Sequence, residues 1–427
     1  MAEIVTSLGI TGSYDDSGIK ASLLYSDGCI IVERLGSLFF PYSSELKRKI
    51  SSARSELFRL YNYRSYIPIN KSKLLRRMTM VSSKREEIQK LSEDITEWSI
   101  QVIKTLAKRE PRSISVIGFN GHPIFYKGKG EKSLAIAHSL GLPSIVAERV
   151  KCTTVYDFMD VDIENGGNGL PLSPVYYKAL LHHSACRAMI SDKQKVAVIN
   201  VSGMSNVTIL NHRNIPESFD AGPGTALVNE YVQRFFQQSH DNEGILAARG
   251  DIIEEMLTKW MQKNILQSNT RFFEYKHFAD CLAQAVRELI PIDCVATLVA
   301  FTAMTIVEGI KHHEEIGTII LTGQWNKNDF FKTLLGRSYN VITSEQLNWD
   351  NYFMESEQYA FYATRSLFML PSSFPSTTGV SRPVHCGRLT IPVSFCKEAE
   401  QSGKSPQATS QAKASKPANQ AKIAIKG

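Results

Sequence analysis

The chain has 427 residues and 47.8 kDa, with 43% hydrophobic and 9% aromatic residues, which excludes one ordinary domain and suits two cores of ~200 residues each. The formal net charge is +7, but the stretch Lys397 to Gly427 carries six Lys against two Glu, so +4 lies there and +3 in the remainder. A folded part this close to neutral excludes any need for a basic nucleic-acid surface.

Seven cysteines (Cys29, Cys152, Cys186, Cys281, Cys294, Cys386, Cys396) are scattered, odd in number and form no C-x-x-C. That pattern belongs to a reducing compartment, without a disulfide framework or a zinc cluster. No basic stretch followed by an apolar run opens the chain, and no apolar run reaches ~18 residues. A cytoplasmic protein with no membrane partner is expected.

Ile4 to Leu8 reads as a strand, Gly9 to Gly18 as a Gly/Ser turn, and Ile19 to Tyr25 as a second strand. Ser26-Asp-Gly28 is a turn before a strand at Cys29–Arg34. A helix is expected over Leu46–Leu60. Ser83-Lys-Arg-Glu86 reads as a capping box opening an amphipathic helix to Lys108. Ile114–Phe119 is a buried-type strand ending in Asn120-Gly-His-Pro123. Ser133–Val155 reads as helix, then strand. Asp157-Phe-Met-Asp-Val-Asp162 leads into a glycine-rich loop with close backbone approach. A helix is expected over Val175–Ile190.

Val198-Ile-Asn-Val-Ser-Gly-Met-Ser-Asn-Val-Thr-Ile-Leu210 is again strand, Gly-Ser turn, strand. Its small residues let backbone N–H groups approach a phosphate, although a plain hairpin has the same pattern. Phe219-Asp-Ala-Gly-Pro-Gly-Thr225 precedes a helix at Leu227–Gln237. A further helix starts at Asp293, with Ala296, Val299, Ala300, Ala303, Ile306 and Val307 inward. Gly317–Leu321 is a strand with the loop Thr322-Gly-Gln-Trp-Asn326. Glu355–Leu370 is a helix stopped at Pro371. The Ser/Gln/Ala/Lys/Pro segment 397–427 reads as disordered.

The alternation is α/β, with a strand–turn–strand unit opening each half. It resembles a duplicated actin-like/sugar-kinase (ribonuclease H-like) two-domain fold with an interdomain cleft, in which two hairpin tips bracket the phosphates of ATP. The expected division is residues 1–130 and 131–353. Residues 354–396 close the chain, with the helix 354–371 packing on the first domain.

A phosphotransferase needs donors around phosphates, a metal-holding carboxylate and a base at the acceptor. Gly9, Ile10, Thr11, Gly12, Ser13, Tyr14, Asp15 and Asp16 form one candidate nucleotide loop. Asn200, Ser202, Gly203 and Asn206 form the other, and no Walker loop is present. Asp157 and Asp162, five apart, suit an orienter and a base, or acids that solvate a loop. Asp220 before Gly222 and Gly224 suits a magnesium–phosphate contact, or an Asx turn. His122 stands at a strand end within reach of a ligand, though a lone histidine is more often structural. His182, His183, His312 and His313 read as surface residues on helices.

At these residues the chain resembles the anhydro-N-acetylmuramic acid kinase family. Asn200-Val-Ser-Gly-Met-Ser-Asn-Val-Thr is similar to N-[IL]-G-G-I-A-N-[IL]-T, and Phe219-Asp-Ala-Gly-Pro-Gly-Thr-Ala-Leu to F-D-T-G-P-G-N-x-L. Val155 to Pro174 resembles V-x-D-F-R-x-x-D-x-A-x-G-G-Q-G-A-P-L-x-P. Ala296-Thr-Leu-Val-Ala-Phe-Thr-Ala and Leu370-Pro-Ser-Ser-Phe-Pro-Ser-Thr-Thr-Gly379 resemble two further motifs. The resemblance implies an ATP- and Mg²⁺-dependent kinase that phosphorylates O6 of 1,6-anhydro-N-acetylmuramic acid while water opens the anhydro ring. It implies Asp162 as base with Asp157 beside it, and nucleotide contacts at both hairpins, at Asp220–Gly224 and at Gly323. Asn120, His122, Gly167 and Asn168 fall on the sugar side. Magnesium comes with ATP, with Asp16 or Asp220 as the candidate protein contact. A homodimer is common among similar kinases.

The departures fall on the ligand motifs. Lys20 stands at a carboxylate position of the first hairpin, and Gly118-Phe-Asn-Gly-His-Pro123 replaces G-S-H-G-Q-T. Ala135-Ile-Ala-His138 replaces Q-I-G-D. Met159 replaces an arginine and Ser202 a glycine. Thr322-Gly-Gln324 replaces three glycines before the adenine-side loop, with bulky Trp325 behind it, which leaves or fills an ATP-sized slot beside Gly323, and T-G-R-E is not evident near Thr270-Arg271. Besides the active kinase, a degenerate binding module and a kinase for another sugar therefore remain as alternatives.

Overall fold

The computed structural model describes residues 3–62, 82–129, 135–183, 189–190, 195–211, 214–263, 266, 272–313 and 315–394. The expected segment 397–427 and the Thr270-Arg271 position lie outside them. So do the side chains of Ser83 to Arg85 in the expected capping box. The chain divides into two compact units, residues up to His183 with those from Tyr352 onward, and Ser184–Asn351.

Unit one is built on a six-stranded sheet, β13-β7-β4-β1-β2-β3. Its strands are β1 (Val5–Gly12), β2 (Gly18–Ser26), β3 (Ile31–Pro41), β4 (Val116–Phe119), β7 (Thr154–Tyr156) and β13 (Arg388–Thr390). β1, β2 and β3 form an antiparallel meander, and β1 runs parallel to β4 and β4 to β7. β5 (His122–Lys127) and β6 (Ile136–Leu140) form a separate hairpin.

Alternation along β1 sends successive side chains to opposite faces. Leu8 and Ile10 enter a core with Leu91, Ile95 and Val102 of the helix Ser82–Ala107. Gly9, paired in register with Gly118 of β4, belongs to the other face, which carries the helix Met354–Leu367. A Cβ at Gly9 would lie 1.9 Å from the Ser356 carbonyl oxygen, and one at Gly118 2.0 Å from that of Tyr359. The two glycines thus let the helix lie directly on the sheet backbone.

Unit two repeats the plan. β8 (Lys195–Val201), β9 (Ser205–Leu210) and β10 (Glu217–Gly222) form the meander. β11 (Ile316–Gly323) runs parallel to β8, and β12 (Asn340–Thr343) runs parallel to β11. The order β10-β9-β8-β11-β12 reproduces β3-β2-β1-β4-β7. This is the duplicated actin-like α/β plan expected from the sequence. Val196–Ile199 is buried throughout, as a strand covered on both faces must be.

Several boundaries differ from the expectation. The boundary expected after residue 130 falls inside unit one, because β7 pairs with β4. The sequence predicts helix then strand over Ser133–Val155, but the described part runs strand, helix, strand. Gly141 at φ +124° ends β6, and Pro143 opens the helix Pro143–Val150. The third strand is Ile31–Pro41, not Cys29–Arg34, since the Asp27 carboxylate caps the turn at Cys29 and Ile30. The helix expected to reach Ile190 ends at Leu181, so His182 and His183 follow a helix instead of sitting on one. His312 and His313 likewise follow the helix Pro291–Ile310, and His313 stacks on Phe219 at 5.6 Å. That helix is long and apolar enough to span a membrane by length and composition, although Asp293 and Glu308 interrupt its apolar run; two thirds of its most apolar stretch is buried inside the protein.

Candidate active site

The first hairpin turns through Ser13–Ser17. The Ser13 N–H and hydroxyl both donate to the Gly18 carbonyl, at 2.9 and 3.0 Å. Asp16 takes a left-handed φ of 57°. Its carboxylate accepts from both terminal nitrogens of Arg54, at 2.6 and 3.0 Å, and Oδ1 also meets His122 Nε2 at 2.9 Å. Nδ1 of His122 lies 3.1 Å from the Tyr42 hydroxyl. His122 is 0% exposed. With Nε2–H donating to Asp16 and Nδ1 accepting from Tyr42, both ring nitrogens are satisfied, so this histidine holds the turn instead of reaching a ligand.

Other candidates here also serve the fold. Gly9 seats a helix, and Ile10 is core. Thr11 is buried and accepts from Asn120 Nδ2 at 3.1 Å. A Cβ on Gly12 would lie 2.0 Å from His122 Nδ1. Tyr14 and Asp15 are the exposed residues of the turn. The Asp15 carboxylate accepts from the Ser17 N–H at 3.1 Å. Burial raises its pKa, but bonds from Ser17 and Ser13 outweigh that and hold it below the usual value.

Glu355, which nothing in the sequence singles out, lies in the first turn of the helix Met354–Leu367. Burial pushes its carboxyl up to about 7, against the pull of Lys20 and of a hydrogen bond from Thr11. The Lys20 ammonium lies 3.9 Å over the Tyr352 ring. An acid poised near neutrality beside a hairpin turn is a functional-site signal. In the sequence it is one glutamate among the polar residues that open a helix.

Asp157 and Asp162 lie on a short helix, Phe158–Glu164, with Asp157 as its N-cap. Asp157 accepts from Arg388 at 3.3 Å, so it is engaged by the β13 edge. Asp162 is 0% exposed. Its Oδ1 accepts from the Gly169 N–H at 2.7 Å and its Oδ2 from the Thr378 hydroxyl at 2.5 Å. Burial raises its pKa against bonds from Thr378, Ser373 and Gly169. A Cβ on Gly167 would meet Asp162 Oδ1 at 2.0 Å. Asn168 is occupied by the fold: its amide donates to Tyr126 Oη and the Leu170 carbonyl and accepts from the Lys129 N–H.

In unit two, β8 and β9 pair up to Val201↔Ser205, leaving Ser202, Gly203 and Met204 as the tip. The Ser202 carbonyl accepts from Thr225 N–H at 2.8 Å and that of Gly203 from Ala226 N–H at 3.2 Å. Gly224, at φ +57°, leaves no room for a Cβ, which would lie 2.2 Å from the Ser202 oxygen. Gly323 is tight against Asn200, and Gln324 Oε1 accepts from the Thr225 hydroxyl at 3.0 Å. Asn200, Ser202, Gly203, Gly224 and Gly323 thus meet at the carboxyl ends of the parallel strands β8 and β11. Open α/β sheets place ligands at such strand ends. A Cβ on Gly203 would have nothing within 4 Å, and the Ser202 hydroxyl is turned to Asn200 Oδ1 at 3.2 Å.

Asp220 lies on β10. Asn206 Nδ2 donates to its Oδ1 at 3.1 Å and the Phe273 N–H to its Oδ2 at 2.8 Å. Burial pushes its pKa up to about 6. Gly222 packs against Thr305. Trp325, 2% exposed, joins the core against Phe331 at a ring distance of 5.0 Å.

A family model described as Anhydro-N-acetylmuramic acid kinase matches residues 51–392. The chain belongs to the anhydro-N-acetylmuramic acid kinase family. A relative of that name from Pelagibacter ubique is 27% identical, over 90% of this chain and 97% of its own. One from Gluconobacter oxydans is 29% identical, over 90% and 99%. Among solved structures, a ROK family glucokinase from Streptomyces griseus in complex with glucose and AMPPNP is 9% identical with a TM-score of 0.33, over 83% and 97%. The family model's own match begins at residue 51, so it includes Arg54 and His122 but not their partner Asp16.

Proposed function

We propose that this chain is an ATP- and Mg²⁺-dependent sugar kinase acting on 1,6-anhydro-N-acetylmuramic acid. It transfers phosphate to O6 while water opens the anhydro ring, giving N-acetylmuramic acid 6-phosphate in cytoplasmic cell-wall sugar recycling. Within a chain of this family, the observation that carries the reading is the second hairpin tip. There Ser202 and Gly203 are fixed by Thr225 and Ala226 at the carboxyl ends of β8 and β11. That tip supports binding of nucleotide phosphates.

In this reading Asp162 takes the proton of a water that attacks the anomeric carbon. The C1–O6 bond breaks, and O6 attacks the γ-phosphorus, releasing ADP. For that role one water must reach the carboxylate past the loop 165–169. Both oxygens of Asp16 and of Asp220 already accept protein hydrogen bonds, which favours magnesium carried by the nucleotide over a protein-held ion. When bound, magnesium neutralises charge on the transferring phosphoryl group.

Transfer of labelled phosphate from ATP to the anhydro sugar is the test. Wild-type protein should form the 6-phosphate and Asp162→Asn should not; equal turnover by that variant removes the base assignment. A second reading, a binding module with little turnover, is favoured by the complete burial of Asp162. Absence of Mg·ATP binding by calorimetry at millimolar nucleotide would select it. A sugar panel tests a shifted substrate, for which Lys20 at a carboxylate position is the motive.

A further inference from the structure

Asp162 is held from two distant parts of the chain. Gly169 lies seven residues on, and Thr378 lies 216 residues away. Thr378 is itself immobilised. Its N–H donates to the Phe374 carbonyl at 3.2 Å, and its carbonyl accepts from the Asn168 N–H at 2.9 Å. Next to it, the Thr377 hydroxyl accepts from the Phe374 N–H at 3.0 Å. One residue thereby grips both the carboxylate and the glycine-rich loop beside it. Gly167 of the same loop presents bare backbone against the carboxylate, closest to Oδ1.

We propose that Thr378 is the positioning residue for Asp162, its hydroxyl fixing the carboxylate's rotation. This rests on the reading of Asp162 as base. An ionised carboxylate has about four acceptor sites; Gly169 takes one on Oδ1, Thr378 one on Oδ2, and Ser373 donates as well. A hydroxyl donor favours the ionised form. Its removal therefore makes the carboxyl harder to ionise.

The titratable groups around Asp162 are shifted by burial or contact other residues. Burial pushes the Cys386 thiol, which contacts Ser373, up to about 12. Burial also raises Tyr359 and Tyr362 well above the usual tyrosine range, and both rings pack on Phe158 of the Asp162 helix. On that helix Asp157 and Glu164 bond Arg388, and Asp160 has a partner of its own. On β6, which packs on the same helix, His138 contacts the Phe125 ring. On β5, the Tyr126 hydroxyl is bonded to Asn168.

The experiment pairs a pH profile of kcat/KM, with Mg·ATP and the anhydro sugar, with direct titration of the Asp162 carboxyl by ¹³C NMR. Asp162→Asn assigns the resonance. In Thr378→Val the carboxyl midpoint and the acid limb of the profile should both rise by about one pH unit, with kcat falling more than KM rises. Thr378→Ser should restore both. If Thr378→Val does not fold, Thr378→Cys, a weaker donor, should give a smaller shift of the same sign. An Asp162 carboxyl that titrates in the variants as in wild type, with only the melting temperature lowered, overturns the proposal. Full turnover by Asp162→Asn overturns the base reading instead, whatever the carboxyl does.

Discussion

Arg54 grips Asp16 with both ends of its guanidinium, Nη2 to Oδ1 at 2.6 Å and Nη1 to Oδ2 at 3.0 Å. The pair joins the helix Ser44–Asn62 to a turn residue in the left-handed region. A forked contact of this kind specifies orientation as well as charge.

Arg54→Ala leaves a largely buried carboxylate with only His122 for company. It should cost about 3 kcal/mol in urea unfolding, and Arg54→Lys should recover only part of that, because an ammonium cannot make the fork. A loss below about 0.5 kcal/mol, the range of ordinary surface substitutions, would show that the turn does not depend on the pair.

Gly203 and Gly224 lie close together but should respond oppositely to a methyl group. Gly203→Ala meets open space and should leave stability within about 0.5 kcal/mol, while weakening Mg·ATP about tenfold if phosphate approaches that backbone. Gly224→Ala is forced into a left-handed conformation and into the Ser202 carbonyl, and should cost about 1–3 kcal/mol. Thermal melts and nucleotide titrations of the two variants separate the effects.

Asp220 gives unit two a pH dependence of defined sign. Its folded pKa, about 6, exceeds the ordinary aspartate value of 3.8 that the unfolded chain takes. Between those values the folded chain binds more protons than the unfolded one, so this group makes stability fall as pH rises. Asp220→Asn should flatten that slope between about pH 4 and pH 6 in urea unfolding. An unchanged slope would show that the carboxyl does not titrate in this range.

Trp325 follows a glycine-containing loop and reads in the sequence as a bulky plug behind an adenine site. The structure turns it into the core with Phe331. Trp325→Ala should therefore destabilise by about 3–5 kcal/mol without improving nucleotide affinity. Calorimetry showing markedly tighter ATP binding by this variant would restore the plug.

What the sequence carries is local. Both hairpins are legible because apolar runs flank a Gly/Ser turn, and the strand order then follows from the doubled α/β alternation. Gly9 and Gly12 read as phosphate-loop glycines because their type fits that use. That a helix and a histidine fill the missing Cβ positions depends on Met354–Leu367 and on His122, far along the chain. Glu355 escapes a reading of the sequence for the same reason, since its neighbours Lys20 and Thr11 lie over 330 residues earlier. Asp162 is a candidate base by motif, but its hydroxyl partner, Thr378, belongs to another motif whose contact no spacing reveals.

Unit one is assembled from the two ends of the chain, whereas unit two is one continuous stretch. During synthesis at about 5–20 residues per second, residues 184–351 are all available before the helix Met354–Leu367 emerges. Until then Gly9 and Gly118 leave an uncovered strip of backbone on the first sheet, and β7 has no β13 at its edge. A nascent chain therefore waits with its first-made sheet exposed, and a chain whose first 351 residues have left the ribosome while the rest is still inside it would have the second unit complete and the first one open.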